Sequence, residues 1–353
     1  MRILHLNLEK GWRGGERQTL LTLRGLRAGG HEVALAARAG SPLAGRAAAE
    51  GIRVLGCGGP PGLARILLMA GWRYDVIHAQ TAQAMSLLAA LRPVLRAALV
   101  FTRRTAFDAP GAAGRHRWKW ARADALVAIS SAAAAAPRAL GLPVTIIPSA
   151  VESDPPDPAG VRDLQTRFGL AGRRVLVTAA ALSPEKDPLT LIEALAILRQ
   201  DHPEVLCLHC GAEGAAADAA RARVAELGLA DHYRLAGFLP RVTDALALAE
   251  AYVSSSRFEA LGTSVLDACL AGLPVVATDV GGHREILAPD RGRLTPAGDA
   301  AALAQQLAWV LDHPQEARAM GARARTLVAR EYAVPTMVAR YENLYRSLGT
   351  TPG

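Results

Sequence analysis

Short apolar runs alternate with amphipathic stretches along most of this chain, and that alternation is the strongest constraint on its fold. Arg2-Ile-Leu-His-Leu-Asn-Leu reads as a strand, and residues 16–28 carry Leu20, Leu21, Leu23 and Leu26 at helical spacing. His31-Glu-Val-Ala-Leu-Ala-Ala and Ile52-Arg-Val-Leu are further strands, and Asp75-Val-Ile-His-Ala leads into a helix over 82–91. Ala98-Leu-Val-Phe-Thr, Ala125-Leu-Val-Ala-Ile and Val144-Thr-Ile-Ile-Pro complete the series. Apolar strands separated by helices predict a doubly wound parallel sheet, because parallel neighbours need a crossover and the crossover helices cover both faces.

Asp154-Pro-Pro-Asp-Pro interrupts the pattern, since proline continues neither a helix interior nor a central strand. A second series follows. Arg174-Val-Leu-Val-Thr-Ala, Val205-Leu-Cys-Leu, Tyr233-Arg-Leu-Ala-Gly, Tyr252-Val-Ser-Ser and Val275-Val-Ala-Thr are its strands, with helices over 188–200, 215–227, 242–250 and 263–271. Residues 335–348 form an amphipathic helix carrying Met337, Val338, Tyr341, Leu344, Tyr345 and Leu348. The expected fold class is α/β, with two Rossmann-like doubly wound domains at 1–154 and 159–334 and a closing helix within 335–353.

At 353 residues, 51% hydrophobic and 20% charged, the chain is long enough for two cores. Charges break every apolar stretch before it reaches the roughly 18 residues of a spanning helix, and Arg2, Glu9 and Lys10 interrupt the first ten. A soluble, unexported, cytoplasmic protein is expected. Cys57, Cys207, Cys210 and Cys269 are few and scattered, which suits a reducing compartment. Cys207 and Cys210 lie three apart in a strand and point to opposite faces, so they read as core thiols rather than a metal or redox pair. The net charge of +8 comes almost wholly from arginine, Lys10, Lys119 and Lys186 being the lysines. No zinc-finger, RNA-recognition or basic-helix pattern accompanies it, so nucleic acid is not the expected partner. An anionic membrane surface or phosphorylated acceptor suits that charge, and Arg115-His-Arg-Trp-Lys-Trp-Ala-Arg122, mixing cations with tryptophans, suits such an interface as well as it suits a solvated helix with its tryptophans packed inward.

The richest segment runs from the strand Ala251-Tyr-Val-Ser-Ser through Glu259-Ala-Leu-Gly-Thr-Ser-Val-Leu-Asp267 to a second strand, Val275-Val-Ala-Thr. In a parallel sheet, ligands lie at the carboxyl ends of the strands. There Gly262, Thr263 and Ser264 present backbone N–H groups at a helix N-terminus, suited to a diphosphate without a metal. Glu259 and Asp267 flank that anion site and suit the hydroxyls of sugars and riboses. Lys186, between a strand and a helix in Ala180-Ala-Leu-Ser-Pro-Glu-Lys-Asp-Pro, supplies a cation. Gly14 and Gly15 sit between the first strand and first helix, where a backbone can approach a ligand closely or simply turn. Gly11-Trp-Arg-Gly-Gly-Glu lacks the dinucleotide spacing, which disfavours a nicotinamide dehydrogenase.

Followed by Ala271-Gly-Leu-Pro-Val-Val-Ala-Thr-Asp-Val-Gly-Gly, this segment resembles the donor site of glycosyltransferase family 4, the retaining group 1 glycosyl transferases, in which a Glu and a second acidic residue stand eight positions apart as Glu259 and Asp267 do. The Gly-Gly opening before Gly30-His31-Glu-Val matches as well. Two departures are plain. Asp267 stands where the family usually has Glu, and Ala181 where it usually has an Arg beside the Lys. One missing charge-assisted hydrogen bond is worth ~1.5–3 kcal/mol of phosphate binding.

The resemblance implies a GT-B architecture, two Rossmann-like domains facing across a cleft, with the last helix crossing back to the first domain. It implies a glycosyltransferase that moves a sugar from a nucleotide-sugar to a glycan or lipid-linked acceptor. The expected donor side is Gly14, Gly15, Lys186, Gly237, Phe238, Leu239, Glu259, Gly262, Thr263, Ser264 and Asp267, with Glu259 and Arg104 as catalytic candidates. The expected acceptor side is His78, Arg103 and Arg104, the arginines standing where many members place a His. No resident cofactor is expected, and the absence of Asp-x-Asp speaks against metal dependence. Retaining and inverting chemistry both stay open on residues alone. A non-catalytic sugar-nucleotide-binding protein and a sugar-nucleotide epimerase on the same fold are the alternatives.

Overall fold

The computed structural model describes residues 1–106 and 113–349 and divides the chain into two units, Met1–Ala150 with Tyr332–Gly353, and Val151–Glu331. The first break therefore falls before the proline-rich segment, and residues 350–353 of the expected closing region lie outside the described residues.

In unit 1 the strands are β1 (Arg2–Asn7), β2 (Glu32–Arg38), β3 (Arg53–Cys57), β4 (Val76–Ala79), β5 (Ala98–Arg103), β6 (Ala125–Ala128) and β7 (Thr145–Ile146). Between them run α1 (Gly14–Ala28), α2 (Pro42–Ala49), α3 (Pro60–Ala70), α4 (Ala82–Leu91), α5 (Ala113–Trp120) and α6 (Ser131–Ala139). The sheet is parallel with strand order β3-β2-β1-β4-β5-β6-β7. Because side chains alternate along each strand, Ile3, Val33, Leu35 and Val76 feed one buried cluster and Leu4, Leu6, Ala34 and Ile77 the other.

Unit 2 begins with α7 (Pro158–Arg167), which Asp157 caps by accepting the Ala159 N–H at 3.0 Å. Then come β8 (Arg174–Ala179), α8 (Pro188–Leu198), β9 (Val205–Cys210), α9 (Ala217–Glu226), β10 (Tyr233–Gly237), α10 (Val242–Leu246), β11 (Ala251–Ser254), α11 (Thr263–Leu270), β12 (Val275–Thr278), α12 (His283–Leu287), β13 (Arg293–Thr295), α13 (Ala300–Asp312) and α14 (Pro314–Glu331). The order β10-β9-β8-β11-β12-β13 adds a sixth strand, β13, to the five the sequence pattern predicts. Cys207 and Cys210 lie buried on β9 as free thiols, and burial pushes both up, Cys210 to about 12.

The last helix, α15 (Val334–Gly349), belongs to unit 1. Its apolar face, Met337, Val338, Tyr341 and Tyr345, joins the cluster lined by Leu20 and Leu23 of α1. His78, expected on the acceptor side, is instead fully buried beneath this helix. Its Nδ1 lies 2.6 Å from the Tyr345 hydroxyl and its Nε2 2.7 Å from Thr102 Oγ1, which in turn meets the Tyr341 hydroxyl at 3.0 Å. Replacing Tyr345 with Phe removes one partner of a buried ring nitrogen and should cost about 1–3 kcal/mol. Urea titration checks this as a lower midpoint with an unchanged slope.

Candidate functional site

Strand order turns round between β8 and β11 in unit 2, the place in an open parallel sheet where ligands bind beyond the carboxyl ends of the strands. Lys186 stands on the β8–α8 loop and Glu259 on the β11–α11 loop, and their side chains pair at 2.5 Å, Lys186 Nζ donating to Glu259 Oε1. The pair is partly sheltered, with side-chain exposures of 24% and 15%.

The two loops are bonded to each other by backbone and side-chain hydrogen bonds to main-chain carbonyls. Ser255 Oγ donates to the Asp187 carbonyl at 2.8 Å, and the Arg257 N–H donates to the Glu185 carbonyl at 2.9 Å. Asp187 takes a left-handed conformation, φ 45°, and its carboxylate caps α8 through Thr190 while accepting from Arg257 Nε at 2.7 Å. Sequence reasoning missed Ser255, Arg257 and Asp187. The Asp-Pro step at 187–188 was the available signal, since an Asp before a Pro at the first helical position is a cap pattern.

Gly262 opens α11 at φ 93°, and Thr263 and Ser264 fill its first turn, half-buried. Tyr252, buried on β11, places its hydroxyl against the Ser264 side chain, and the Ala179 N–H reaches it at 3.3 Å. Burial pushes that phenol up, and the Glu259 and Asp267 carboxylates push the same way. Asp267 lies one turn further along α11, half-buried. Unit 2 thus brings Lys186, Glu259, Gly262, Thr263, Ser264 and Asp267 around one helix N-terminus.

Behind them, the loop after β12 presses on Glu259. A Cβ on Gly281, itself at φ 50°, would stand 1.6 Å from the Glu259 carbonyl oxygen. His283 is fully buried against Gly262, with Nδ1 2.8 Å from the Thr278 carbonyl, so Nδ1 carries the proton. Burial lowers its pKa despite the opposing pull of Glu259, and its Nε2 has no partner among the described residues. The Val-Gly-Gly string gave a sequence signal for the glycines; the histidine gave none.

Ala181 is exposed, where the family usually carries an arginine. Gly237, Phe238 and Leu239 follow β10, the edge strand. Gly237 marks a register shift and accepts the Gly211 N–H at 2.8 Å, while Phe238 is 56% exposed. Among the described residues, no hydrogen bond or ion pair joins them to Lys186 or Glu259.

Unit 1 turns its strand order round between β1 and β4. Arg104, just past β5, donates through Nη2 to Gln80 Oε1 at 2.7 Å and through Nη1 to Ser149 Oγ at 3.2 Å, with its Cδ 3.7 Å from the position of a Cβ on Gly15. Gly14 and Gly15 start α1, and the buried Glu16 accepts the Arg13 N–H at 2.9 Å. Arg103 points elsewhere: it is 4% exposed, donates to the Ala133 carbonyl at 2.6 Å and lies 5.2 Å from the Trp120 ring centre. That placement corrects its assignment to the acceptor side, because the side chain is buried and Nη1 is engaged by α6.

The description "Glycosyl transferases group 1" matches residues 165–327, and "Glycosyltransferase Family 4" matches residues 12–155. The chain belongs to this glycosyltransferase family. The putative glycosyltransferase EpsD of Bacillus subtilis is 34% identical over 157 residues, 44% of this chain and 41% of that protein. The 2-deoxystreptamine glucosyltransferase of Streptomyces kanamyceticus is 33% identical over 202 residues, 54% of this chain and 51% of that protein. The chain spans about half the length of these curated relatives. HepE of Anabaena, solved with UDP, superposes on this family 4 chain with TM-score 0.88 at 21% identity, covering 98% of this chain and 100% of that one. This likeness shows the GT-B fold, two parallel-sheet α/β domains of seven and six strands here. Among the described residues, no group of three or more His, Cys, Asp or Glu could hold a metal, and no helix is long and apolar enough to cross a membrane.

Two tests probe how the site is held. Gly281→Ala should displace Glu259, and a crystal structure of the variant, or loss of ligand binding with little loss of helix signal, checks it. His209 on β9 supports the Ala180 carbonyl from Nε2 at 2.8 Å, and burial lowers its pKa from 6.5 to about 4. The unfolded chain therefore takes up this proton first as pH falls. The contribution is complete above pH 6.5 and is lost towards pH 4, about 3 kcal/mol in all. Urea titrations at both ends of that window should show the loss in the wild type and a smaller one in His209→Gln.

Proposed function

We propose that the chain transfers a sugar from a nucleotide-sugar donor to a glycan or lipid-linked acceptor, with retention and without a metal. The observation that carries this reading is the Lys186–Glu259 pair set at the strand-order reversal of unit 2, beside the N-terminus of α11. In this reading the donor diphosphate lies on the Gly262, Thr263 and Ser264 N–H groups and takes Lys186 from Glu259. Glu259 is then free to accept from the sugar hydroxyls, and Asp267 holds the ribose. Gly237, Phe238 and Leu239 cradle the base. The negative charge that builds on the departing diphosphate meets an ammonium and a helix end already in position, so no reorganisation cost falls at the transition state.

In unit 1, Gly14 and Gly15 allow a ligand close to the start of α1, and Arg104 offers a planar cation to a phosphate or carboxylate of donor or acceptor. Its pKa is lowered by burial, with Tyr341 and Glu16 opposing. A guanidinium binds and orients; it does not act as a base.

Support for a nucleotide-sugar comes from HepE, solved with UDP-glucose. Support for an envelope glycan comes from the lipopolysaccharide core biosynthesis mannosyltransferase LpcC of Rhizobium leguminosarum, 28% identical over 240 residues, 66% of this chain and 67% of that protein. A cytoplasmic protein with a peripheral contact on an anionic membrane fits the Arg115–Arg122 segment.

Thermal stabilisation by UDP-, GDP- and ADP-sugars tests the donor, since a ligand that binds only the folded state raises the melting temperature. One nucleotide family should stabilise the protein, and Asp267→Ala should lose the effect. Glu259→Ala should lower transfer by about 100-fold or more while the protein stays folded; wild-type turnover in that variant would remove Glu259 from the mechanism. Proton NMR of the product should show the anomeric configuration of the donor.

A further inference from the structure

Outside the residues placed in sugar transfer, unit 1 holds a cavity of about 380 Å³ between the first turn of α4 and one face of α5. Arg115, Trp118 and Lys119 line it from α5, spaced so that they share a face, and Ala82, Gln83 and Ser86 line it from α4. Lys119 is 9% exposed, and among the described residues no hydrogen bond or ion pair engages its ammonium. Burial lowers its pKa, and the like charges of Arg115 and Arg103 lower it further. A partly desolvated cation with cationic neighbours is stabilised by a nearby anion.

The α4 side supplies what such an anion needs. Thr81 caps the ten-residue helix by accepting the Ala84 N–H at 3.3 Å. Ala82 and Gln83, which line the cavity, leave their N–H groups as unused donors of the first turn. Two independent features therefore converge on one space, a helix N-terminus and a lysine side chain nine-tenths buried with no hydrogen bond or ion pair among the described residues. Arg115 adds an exposed second cation at the rim. Trp118, 44% exposed, adds an aromatic wall against which the rest of a ligand can lie.

We propose that this cavity binds a phosphate ester. A phosphate brings close to two negative charges and several acceptor oxygens, matching the two cations and the paired amides better than a single carboxylate does. The volume lies at the small end of ligand pockets, roughly 300–1,000 Å³, which suits a sugar phosphate or a lipid phosphate headgroup. The site uses none of the residues placed in sugar transfer, and its lipid arm deepens the reading of the Arg115–Arg122 segment given above, while its soluble arm does not depend on it.

Isothermal titration calorimetry on the full chain tests it, with glucose 6-phosphate as the probe and glucose as the control, alongside flotation with phosphatidylcholine vesicles with and without phosphatidic acid. The ester should bind and glucose should not. Lys119→Met, which keeps the buried stem, should weaken ester binding about tenfold or more, and Arg115→Ala should weaken it several-fold. Glu259→Ala, in the other unit, should leave it intact. Soluble-ester binding lost in these two variants assigns a soluble source. Vesicle retention lost in them, without soluble-ester binding, assigns a lipid source, and both results support the site. Binding to neither probe, or binding unchanged in both cavity variants, overturns it. Loss of ester binding in Glu259→Ala also overturns it, by moving the probe to the donor residues. Circular dichroism accompanies each variant. Should Lys119→Met fail to fold, Arg115→Ala decides alone, since wild-type affinity there refutes the proposal.

Discussion

The reversal of strand order between β8 and β11 is the constraint on which the candidate site depends. On either side of it the crossovers run in opposite directions, so the loops after β8 and β11 are not covered by the helix of a neighbouring strand. They meet instead, through Ser255 to Asp187 and through Arg257 to Glu185. Those bonds to main-chain carbonyls fix the separation at which the Lys186 ammonium finds the Glu259 carboxylate. A pair between flexible exposed side chains would contribute little. Here the supporting loops set the geometry before the charges meet.

Neutral histidines serve as struts for these loops. His209 braces the Ala180 carbonyl after β8, and His283 braces the Thr278 carbonyl while lying under Gly262. Burial holds both below the ordinary imidazole range, so neither adds a positive charge to the site. An uncharged ring that donates one hydrogen bond is a stiff spacer, and protonation would introduce an unpaired buried cation. The positive charge that meets Glu259 beside α11 therefore comes from Lys186 and the helix end, and from neither ring.

Most strands were legible because strands buried on both faces leave unbroken apolar runs. β13 was not, since it has three residues with Thr295 the one buried among them, and such a segment looks like any loop. Lys186, Glu259 and the turn of α11 were legible because loop residues at strand ends have little structural reason to be Lys, Glu or Gly-Thr-Ser. His78 and Arg103 have the same strand-end signature yet face inward. Their partners explain why the sequence misled: Tyr345 lies 267 positions from His78, and Ala133 lies 30 from Arg103. Local pattern carries the direction of a strand and not the identity of what will be packed upon it.

The path of α15 has a consequence for how the chain acquires its structure. Unit 1 leaves the ribosome first, yet the aromatic helix that covers His78 and Thr102 emerges only after all of unit 2. Until then the sheet lacks part of one apolar cover, and His78 Nδ1 lacks its Tyr345 hydroxyl. Unit 2, continuous in sequence, is able to complete its core while unit 1 waits. The order of synthesis and the order of completion of the two units are thus reversed, and emergence of α15 is the step that seals unit 1.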